Sequence, residues 1–160
     1  MALNRSSKTC EWSTPQYLFD YLNAEFQFTI DACATPENAK CDAFFTQEDD
    51  GLVQPWCGTV FCNPPFGREI GHWVRKAWVS VQAGDCIAVL IVPARVDTAW
   101  WHDYATQAAE VRFVRGRVKY GGSPHGAPFP TAILVFRRCP TQLEVQHVQV
   151  PATTTKEGGE

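Results

Sequence analysis

The pattern of apolar and polar positions along the chain predicts three buried strands. Each strand is a mainly apolar run that ends at a polar residue or a proline: 28–30 before Asp31, 59–62 before Asn63, and 86–92 before Pro93. Runs of this kind are typical of strands buried on both faces of a parallel sheet. Between the second and third runs, residues 69–82 carry apolar side chains at helical spacing. The pattern therefore indicates a strand-helix-strand unit with a parallel crossover.

The same patterns predict the remaining elements. They are a helix over 16–25 with Thr14 as N-cap and Pro15 at its first position, a helix over 98–109, a strand over 110–120, a Gly/Pro-rich loop over 121–130 and a strand over 131–137. The order α-β-β-α-β-α-β-β predicts an open α/β sheet. In such sheets ligands bind beyond the carboxyl ends of the strands, so candidate functional residues are sought there.

Length and composition indicate one domain. A chain of 160 residues can bury a core without disulfides. We place the domain at 12–140, with an N-terminal extension at 1–11 and a C-terminal tail at 141–160. The tail is expected to be partly disordered, because residues 151–160 offer almost nothing to bury.

Composition also restricts location and partners. No apolar run approaches the roughly 20 residues that span a bilayer, and residues 1–10 lack a secretion signal, so we expect a cytoplasmic protein without membrane contact. The seven cysteines form no C-x-x-C pair, which predicts reduced thiols and no metal site. A net charge of -3 argues against a generally basic nucleic-acid binder. Any contact with DNA must therefore come from a local patch.

The four residues after the second strand, Asn63-Pro64-Pro65-Phe66, suit one reaction. The exocyclic amine of adenine is a poor nucleophile, because its lone pair is delocalised into the ring. The Asn63 side-chain oxygen and the Pro64 carbonyl can accept its two hydrogens and favour a pyramidal nitrogen. Paired prolines hold that carbonyl in place, and Phe66 can stack on a base extruded from a duplex. The alternative is that Pro64 and Pro65 merely end the strand.

A series of motifs resembles the small phage-type DNA adenine methyltransferases (Dam-like) over most of residues 12–137. The motifs, in chain order, are Trp12-Ser13-Thr14-Pro15, residues 28–34, residues 38–40, Asp50-Gly51-Leu52 with Trp56, Asn63-Pro64-Pro65-Phe66, Trp73 with Lys76-Ala77, residues 93–98 with Trp101-His102, and Gly116-Arg117. The resemblance implies a compact class I methyltransferase fold, a mostly parallel Rossmann-like sheet with an antiparallel terminal hairpin at its edge. It also implies S-adenosylmethionine as methyl donor, double-stranded DNA as partner, and a phage- or prophage-encoded enzyme in the cytoplasm of a bacterial host.

The resemblance assigns donor contacts to several segments. Trp12, Thr14 and Pro15 match the segment that holds the methionine end, and Asp31, Ala32 and Cys33 match the loop along the donor. Asp50 and Leu52 match the turn that contacts the donor's adenine, with Asp49 as an alternative, and Asn63 completes the donor site. Residues 34–38 replace the usual glycine-rich loop, so Asn38 and Asp49 are candidates for the ribose-binding acid. Asp31 as a helix N-cap and 50–52 as a simple turn are the competing structural interpretations.

A local basic patch is the candidate DNA surface. Arg112, Arg115, Arg117 and Lys119 fall on the predicted strand 110–120, where Arg115, Arg117 and Lys119 share one face. We interpret this face, with Arg95 and His125, as a surface that contacts phosphates beside the loop 121–130. The alternative is a solvated edge strand protected by charge.

Three other functions remain open at this point. An Asn-Pro-Pro-aromatic loop also suits methylation of adenine in RNA or of a protein glutamine amide. A methyltransferase-like module that binds DNA without catalysis is the non-enzymatic alternative. Methylation of a cytosine ring carbon is disfavoured, because no Pro-Cys dipeptide supplies a nucleophile.

Overall fold

The computed structural model describes residues 12–84, 86–138 and 143–151. Within these residues there are three α-helices: α1 (Gln16–Phe26), α2 (Ile70–Ala83) and α3 (Ala99–Asp103). The strands are β1 (Ile30–Asp31), β2 (Gly58–Cys62), β3 (Cys86–Pro93), β4 (Glu110–Val114), β5 (Thr131–Phe136) and β6 (Glu144–Val148). Two short 3₁₀ turns lie at Ala105–Gln107 and Tyr120–Gly122. The strands form one sheet in the order β1-β2-β3-β5-β4-β6.

Strand directions place several loops at one edge of the sheet. Strands β1, β2 and β3 pair in parallel, whereas β5 is antiparallel to both of its neighbours, β3 and β4. Strand β4 therefore runs in the same direction as β3, and β6 pairs with it in parallel. The segments that follow β1, β2, β3 and β4 consequently meet at what we call the carboxyl edge. The opposite side of the sheet is the amino edge.

Helices cover both faces of the sheet, which explains the continuous apolar strands. Along β3, Leu90 packs in a cluster with Val74 of α2, whereas the neighbouring Val89 packs in a second cluster with Leu18 of α1. Successive side chains of a strand point to opposite faces, so both faces of β3 contribute to the core. The result is a three-layer α/β/α arrangement.

The observed elements confirm the predicted α/β class and its mostly parallel sheet. Helices α1 and α2 and strands β2, β3 and β5 lie within two residues of their predicted bounds. The antiparallel pairing of β4 with β5 agrees with the predicted terminal hairpin. The edge of the sheet beyond this pair is β6, which lies inside the segment 141–160 that the sequence pattern assigns to the tail. Ordered structure therefore extends past residue 140.

Two predicted elements are too long. The helix over 98–109 ends at Asp103, and a 3₁₀ turn then brings Ala105 and Ala108 into the core cluster against α2. The strand over 110–120 ends at Val114, because Gly116 adopts a left-handed backbone with φ 80° that an extended strand cannot contain.

Within the described residues, no helix is both long and apolar enough to cross a membrane.

Candidate active site at the carboxyl edge

Asn63 follows β2 directly, and its side-chain amide has one fixed orientation. Its Nδ2 donates a hydrogen bond of 2.7 Å to the carbonyl oxygen of Trp12, 51 residues earlier in the chain. A carbonyl can only accept, so Nδ2 must face Trp12 and Oδ1 must face away from that bond. Oδ1 is buried and has no hydrogen-bond partner among the described residues. A buried acceptor without a partner is costly, which makes Oδ1 a candidate contact for a ligand.

The residues after Asn63 are held by prolines and by aromatic packing. Pro64 is buried, and Pro65 and Phe66 are half-buried. Two consecutive prolines fix φ at both positions, so the loop is stiff before any substrate binds. The Phe66 ring belongs to a four-ring group, which we call the aromatic cluster; its other members are Trp12, Tyr120 and Phe129. All six pairs of ring centroids within the cluster lie between 5.1 and 6.2 Å apart.

The segment before α1 crosses this loop and joins it to the region after β4. The Ser13 carbonyl accepts a hydrogen bond of 2.9 Å from the Gly121 amide. Thr14 is not the N-cap, contrary to the prediction: the helix begins at Gln16, and the carbonyl of Pro15 accepts the first helical bonds. Pro15 therefore lies one position before the helix. The buried Thr14 hydroxyl has no partner among the described residues, so it too is available to a ligand.

The loop after β1 is organised by Asp31. This buried carboxylate accepts hydrogen bonds from the amides of Cys33 (3.3 Å) and Lys40 (3.1 Å). Burial raises the pKa of Asp31 to about 6, against the opposing effect of those two backbone bonds. No helix follows Asp31, so the alternative role as a helix N-cap is wrong. Burial likewise raises the pKa of Cys33 to about 12, which keeps its thiol neutral.

The turn over 49–52 packs against the loop after β1. A Cβ on Gly51 would lie 2.2 Å from the Ala32 carbonyl oxygen and 3.1 Å from the Trp73 ring, so only glycine fits there. The Gly51 carbonyl accepts a hydrogen bond of 2.8 Å from the Trp56 indole. The close approach of Gly51 to Ala32 brings the predicted donor segments around Ala32 and Asp50 together. Leu52 is half-buried against the same core cluster as Ala32.

Three other polar side chains proposed for the donor site are engaged in their own turns. The Asn38 side-chain oxygen accepts a bond of 2.7 Å from the Thr35 amide. Asp49 accepts bonds of 2.8 Å from the amide and the hydroxyl of Thr46. Asp50 has a left-handed backbone with φ 53° and accepts a bond of 3.1 Å from the Leu52 amide. The side chains of Asn38 and Asp49 thus stabilise their own turns. Asp50 remains exposed at the turn.

The basic residues after β4 lie on a loop and not on a strand face, which corrects the prediction. The loop is closed by a bond of 2.8 Å from the Ala127 amide to the Val118 carbonyl, with Val118 buried beneath it. Its exposed side carries four predicted DNA-binding residues, Arg115, Arg117, Lys119 and His125. Arg95, after β3, is also exposed. Within the described residues, none of the four arginines and lysines in this set forms an ion pair.

Arg112 does not belong to that surface. Its guanidinium is buried and forms ion pairs with Glu25 (2.6 Å) and Glu110 (2.7 Å), and it lies 5.2 Å from the centre of the Phe26 ring. Arg137 also pairs with Glu110. Glu110 begins β4 and Arg137 follows the antiparallel β5, so this ion-pair group lies at the amino edge. Strand alternation places Arg112 on the opposite face from Arg115, but the sequence alone does not reveal that Arg112 is buried and paired with Glu25.

Sequence reasoning missed three residues at the carboxyl edge. The Trp73 indole nitrogen is buried without a partner among the described residues; its helical spacing indicated a core residue, and the family motif gave it no role. Tyr120 is buried in the aromatic cluster, where its hydroxyl pairs with Thr131 at 3.0 Å. Arg68 is exposed directly after the catalytic loop, and its position beside Phe66 and Gly67 was the available signal. No group of three or more potential metal-ligating side chains occurs in the part of the chain that the structure describes.

The fold defines an α/β protein whose candidate functional residues lie where its parallel strands end. The family model described as DNA N-6-adenine-methyltransferase (Dam) matches residues 3–143, and the chain belongs to this family. Membership agrees with the resemblance seen in the sequence motifs.

Individual relatives match parts of the chain. The DNA N-6-adenine-methyltransferase of Escherichia phage T1 is 33% identical over 106 residues, covering 64% of this chain and 44% of the relative. The chain thus spans less than half the length of that protein. The putative methyltransferase YfdM of Escherichia coli (strain K12) is 36% identical over 64 residues, covering 35% of this chain and 70% of the relative. A crystal structure of a predicted O-methyltransferase, Atu636 from Agrobacterium tumefaciens, aligns with TM-score 0.41 at 15% identity, covering 90% of this chain and 69% of that one.

Proposed function

We propose that this protein transfers a methyl group from S-adenosylmethionine to the exocyclic N6 amine of adenine in double-stranded DNA. The observation that carries the proposal is Asn63 Oδ1, a buried acceptor without a partner among the described residues, at the start of a proline-stiffened loop. Membership of the Dam family supports the choice of adenine N6. The phage and bacterial relatives support an action in the cytoplasm of a bacterial host.

The chemistry requires two acceptors at one nitrogen. Asn63 Oδ1 and the Pro64 carbonyl would each accept one hydrogen of the amine, which localises the nitrogen lone pair toward the methyl donor. The bond from Asn63 to the Trp12 carbonyl sets this orientation before substrate arrives, so little reorganisation is needed during the reaction. The bond from the nitrogen to the methyl carbon would form as the donor's carbon–sulfur bond breaks, with S-adenosylhomocysteine as the leaving group. The methylated nitrogen would be acidic and would lose one proton to solvent. A general base is therefore not required.

The donor site fits the polar atoms that lack partners. S-adenosylmethionine supplies a methyl group activated by a sulfonium, and it carries several hydrogen-bond donors and acceptors. The Thr14 hydroxyl and the Trp73 indole N–H are buried and unpaired within the described residues, as is the Thr35 hydroxyl in the loop after β1. We assign the donor to the space bounded by Thr14, Asp31 and the turn at Asp50, with Trp73 as an additional contact.

The DNA would lie across the exposed cations of the carboxyl edge. Arg68 follows β2, Arg95 follows β3, and Arg115, Arg117 and Lys119 follow β4. They share this edge because those strands run in one direction, and none has an ion-pair partner in the described residues. Unpaired cations around the catalytic loop suit phosphate contacts, even though the whole chain carries a charge of -3.

Sequencing that detects modified bases tests this proposal in bacterial cells that express the full chain. We expect N6-methyladenine at a defined short sequence, absent from cells that carry the empty vector. RNA and total protein from the same cells are analysed for methylated adenine and methylated glutamine, the products of the two related reactions. Methylated RNA adenine or protein glutamine with unmodified DNA would contradict the choice of substrate.

A further inference from the structure

Trp12 contacts both parts of the proposed active site. Its carbonyl orients the Asn63 amide, and its half-buried ring lies in the aromatic cluster with Phe66. We propose that the Trp12 ring is the second stacking surface for the extruded target base, opposite Phe66. This inference rests on the proposed function, and it reassigns Trp12 from the donor site to the base site.

Ring geometry selects Trp12 from the three neighbours of Phe66. The planes of Trp12 and Phe66 are inclined by 34°, with centroids 6.2 Å apart. Tyr120 and Phe129 stand almost perpendicular to Phe66, at 88° and 86°. A planar base held between two rings needs them nearly parallel and about 6.8 Å apart, twice the roughly 3.4 Å spacing of stacked bases. The Trp12–Phe66 pair is the one that approaches this arrangement within the cluster.

The packing of Trp12 also separates it from the donor loops. Its ring packs with Tyr120 and Phe129, which belong to the loop after β4 and the same core cluster as α1. Ala32 and Leu52, assigned to the donor, pack in the other core cluster against α2. Phe66 is the residue of the catalytic loop that contacts both clusters. The Trp12 ring therefore packs in a different core cluster from Ala32 and Leu52.

Two backbone contacts fix this segment, and neither involves the Trp12 ring. The Trp12 carbonyl binds Asn63 at 2.7 Å, and the next carbonyl, of Ser13, binds the Gly121 amide at 2.9 Å. A base between Trp12 and Phe66 would thus lie beside the segment that orients the Asn63 amide. Replacing the ring leaves the Trp12 carbonyl in the chain, so the two roles can be separated by mutation.

The test measures binding of the full-length protein to two duplexes that differ at the adenine that the wild type methylates. One duplex contains that adenine and the other an abasic site. For Trp12→Ala we expect affinity for the adenine duplex to fall about 10- to 100-fold, as stacking energies imply, with little change for the abasic duplex. Trp12→Phe keeps an aromatic surface and should retain most of the affinity. S-adenosylmethionine affinity, measured by calorimetry, should stay within twofold in both variants.

Phe28→Ala is the matched control. Phe28 is a half-buried ring packed against Phe19 and Phe61, so its loss loosens the same core cluster without touching the aromatic cluster. It should lower both duplex affinities equally or not at all. If Trp12→Ala weakens both duplexes equally, or weakens the donor instead, the inference is overturned. Wild-type methylation is measured in parallel, so failure of the proposed function is seen separately as an unmodified adenine duplex.

Discussion

The two edges of the sheet differ in how their cationic side chains are paired. At the amino edge, Glu110, Arg112 and Arg137 form ion pairs with each other and with Glu25 at the end of α1. At the carboxyl edge, the buried polar atoms of Thr14, Thr35, Asn63 and Trp73 have no partner within the described residues. The exposed cations there are likewise without ion pairs in that part of the chain. The comparison teaches that residue type alone does not mark function, since Arg112 is buried and ion-paired whereas Arg115, three positions later, is exposed and has no ion pair among the described residues.

Arg112→Ala tests the amino edge and should give the largest loss of stability. Removing a buried cation leaves Glu110 with a poorly compensated charge, which costs about 3–5 kcal/mol, toward the lower end because Arg137 still pairs with Glu110. Its ion pair with Glu25 also holds the pKa of Glu25 below the ordinary value. Urea unfolding followed by circular dichroism measures the change in the free energy of unfolding.

Arg115→Ala is the matched comparison, because Arg115 is exposed and unpaired in the described residues, three positions from Arg112. It should change stability by no more than about 0.5 kcal/mol. It should instead lower the salt dependence of DNA binding by roughly one unit of slope. Similar stability losses in the two variants would remove the distinction between the edges.

Asp31→Asn tests a carboxylate at the carboxyl edge that is buried and accepts hydrogen bonds from two backbone amides. The pKa of Asp31 in the folded protein is about 6, above the ordinary 3.8, because of burial. The folded state therefore binds more protons between these values, so wild-type stability should fall as pH rises from about 4 to about 6. The Asn variant lacks this titration. The difference in unfolding free energy between the two proteins should change by roughly 2–3 kcal/mol over that range.

Unfolding in urea at several pH values between 4 and 7 checks this expectation. If the free energy of unfolding depends on pH in the same way in the wild type and the Asn variant, Asp31 is ionised as readily in the folded chain as in the unfolded one.

The parts of the fold that the sequence predicts are those with local signals. Residues 70–83 repeat apolar positions at helical spacing, and β3 is a continuous apolar run, so both elements are found near their predicted bounds. The position of Asn63 after a buried strand is predicted for the same reason. By contrast, the end of β4 depends on the backbone of Gly116, and β6 contains exposed Val145 and polar residues with no clear alternation of burial.

The contacts that complete the site are long-range, and local patterns do not reveal them. Asn63 meets Trp12 across 51 residues, and Arg112 meets Glu25 across 87. These pairings depend on how α1 and the loop after β4 pack beside β2. The motifs could identify the candidate catalytic loop, but only the folded chain shows which atom of Asn63 is engaged and which has no partner among the described residues.

Asn63→Ala tests the central claim most directly, through the single-turnover rate of methyl transfer to DNA adenine and the affinity for S-adenosylmethionine in the same preparation. Removal of one preorganised acceptor should lower the rate about 10²–10³-fold. Donor affinity should stay close to the wild-type value, whereas the free energy of unfolding should fall by about 1 kcal/mol, because the variant also loses the hydrogen bond from Nδ2 to the Trp12 carbonyl. A variant that methylates DNA adenine at nearly the wild-type rate would show that the loop merely ends β2, and the account of this site would be wrong.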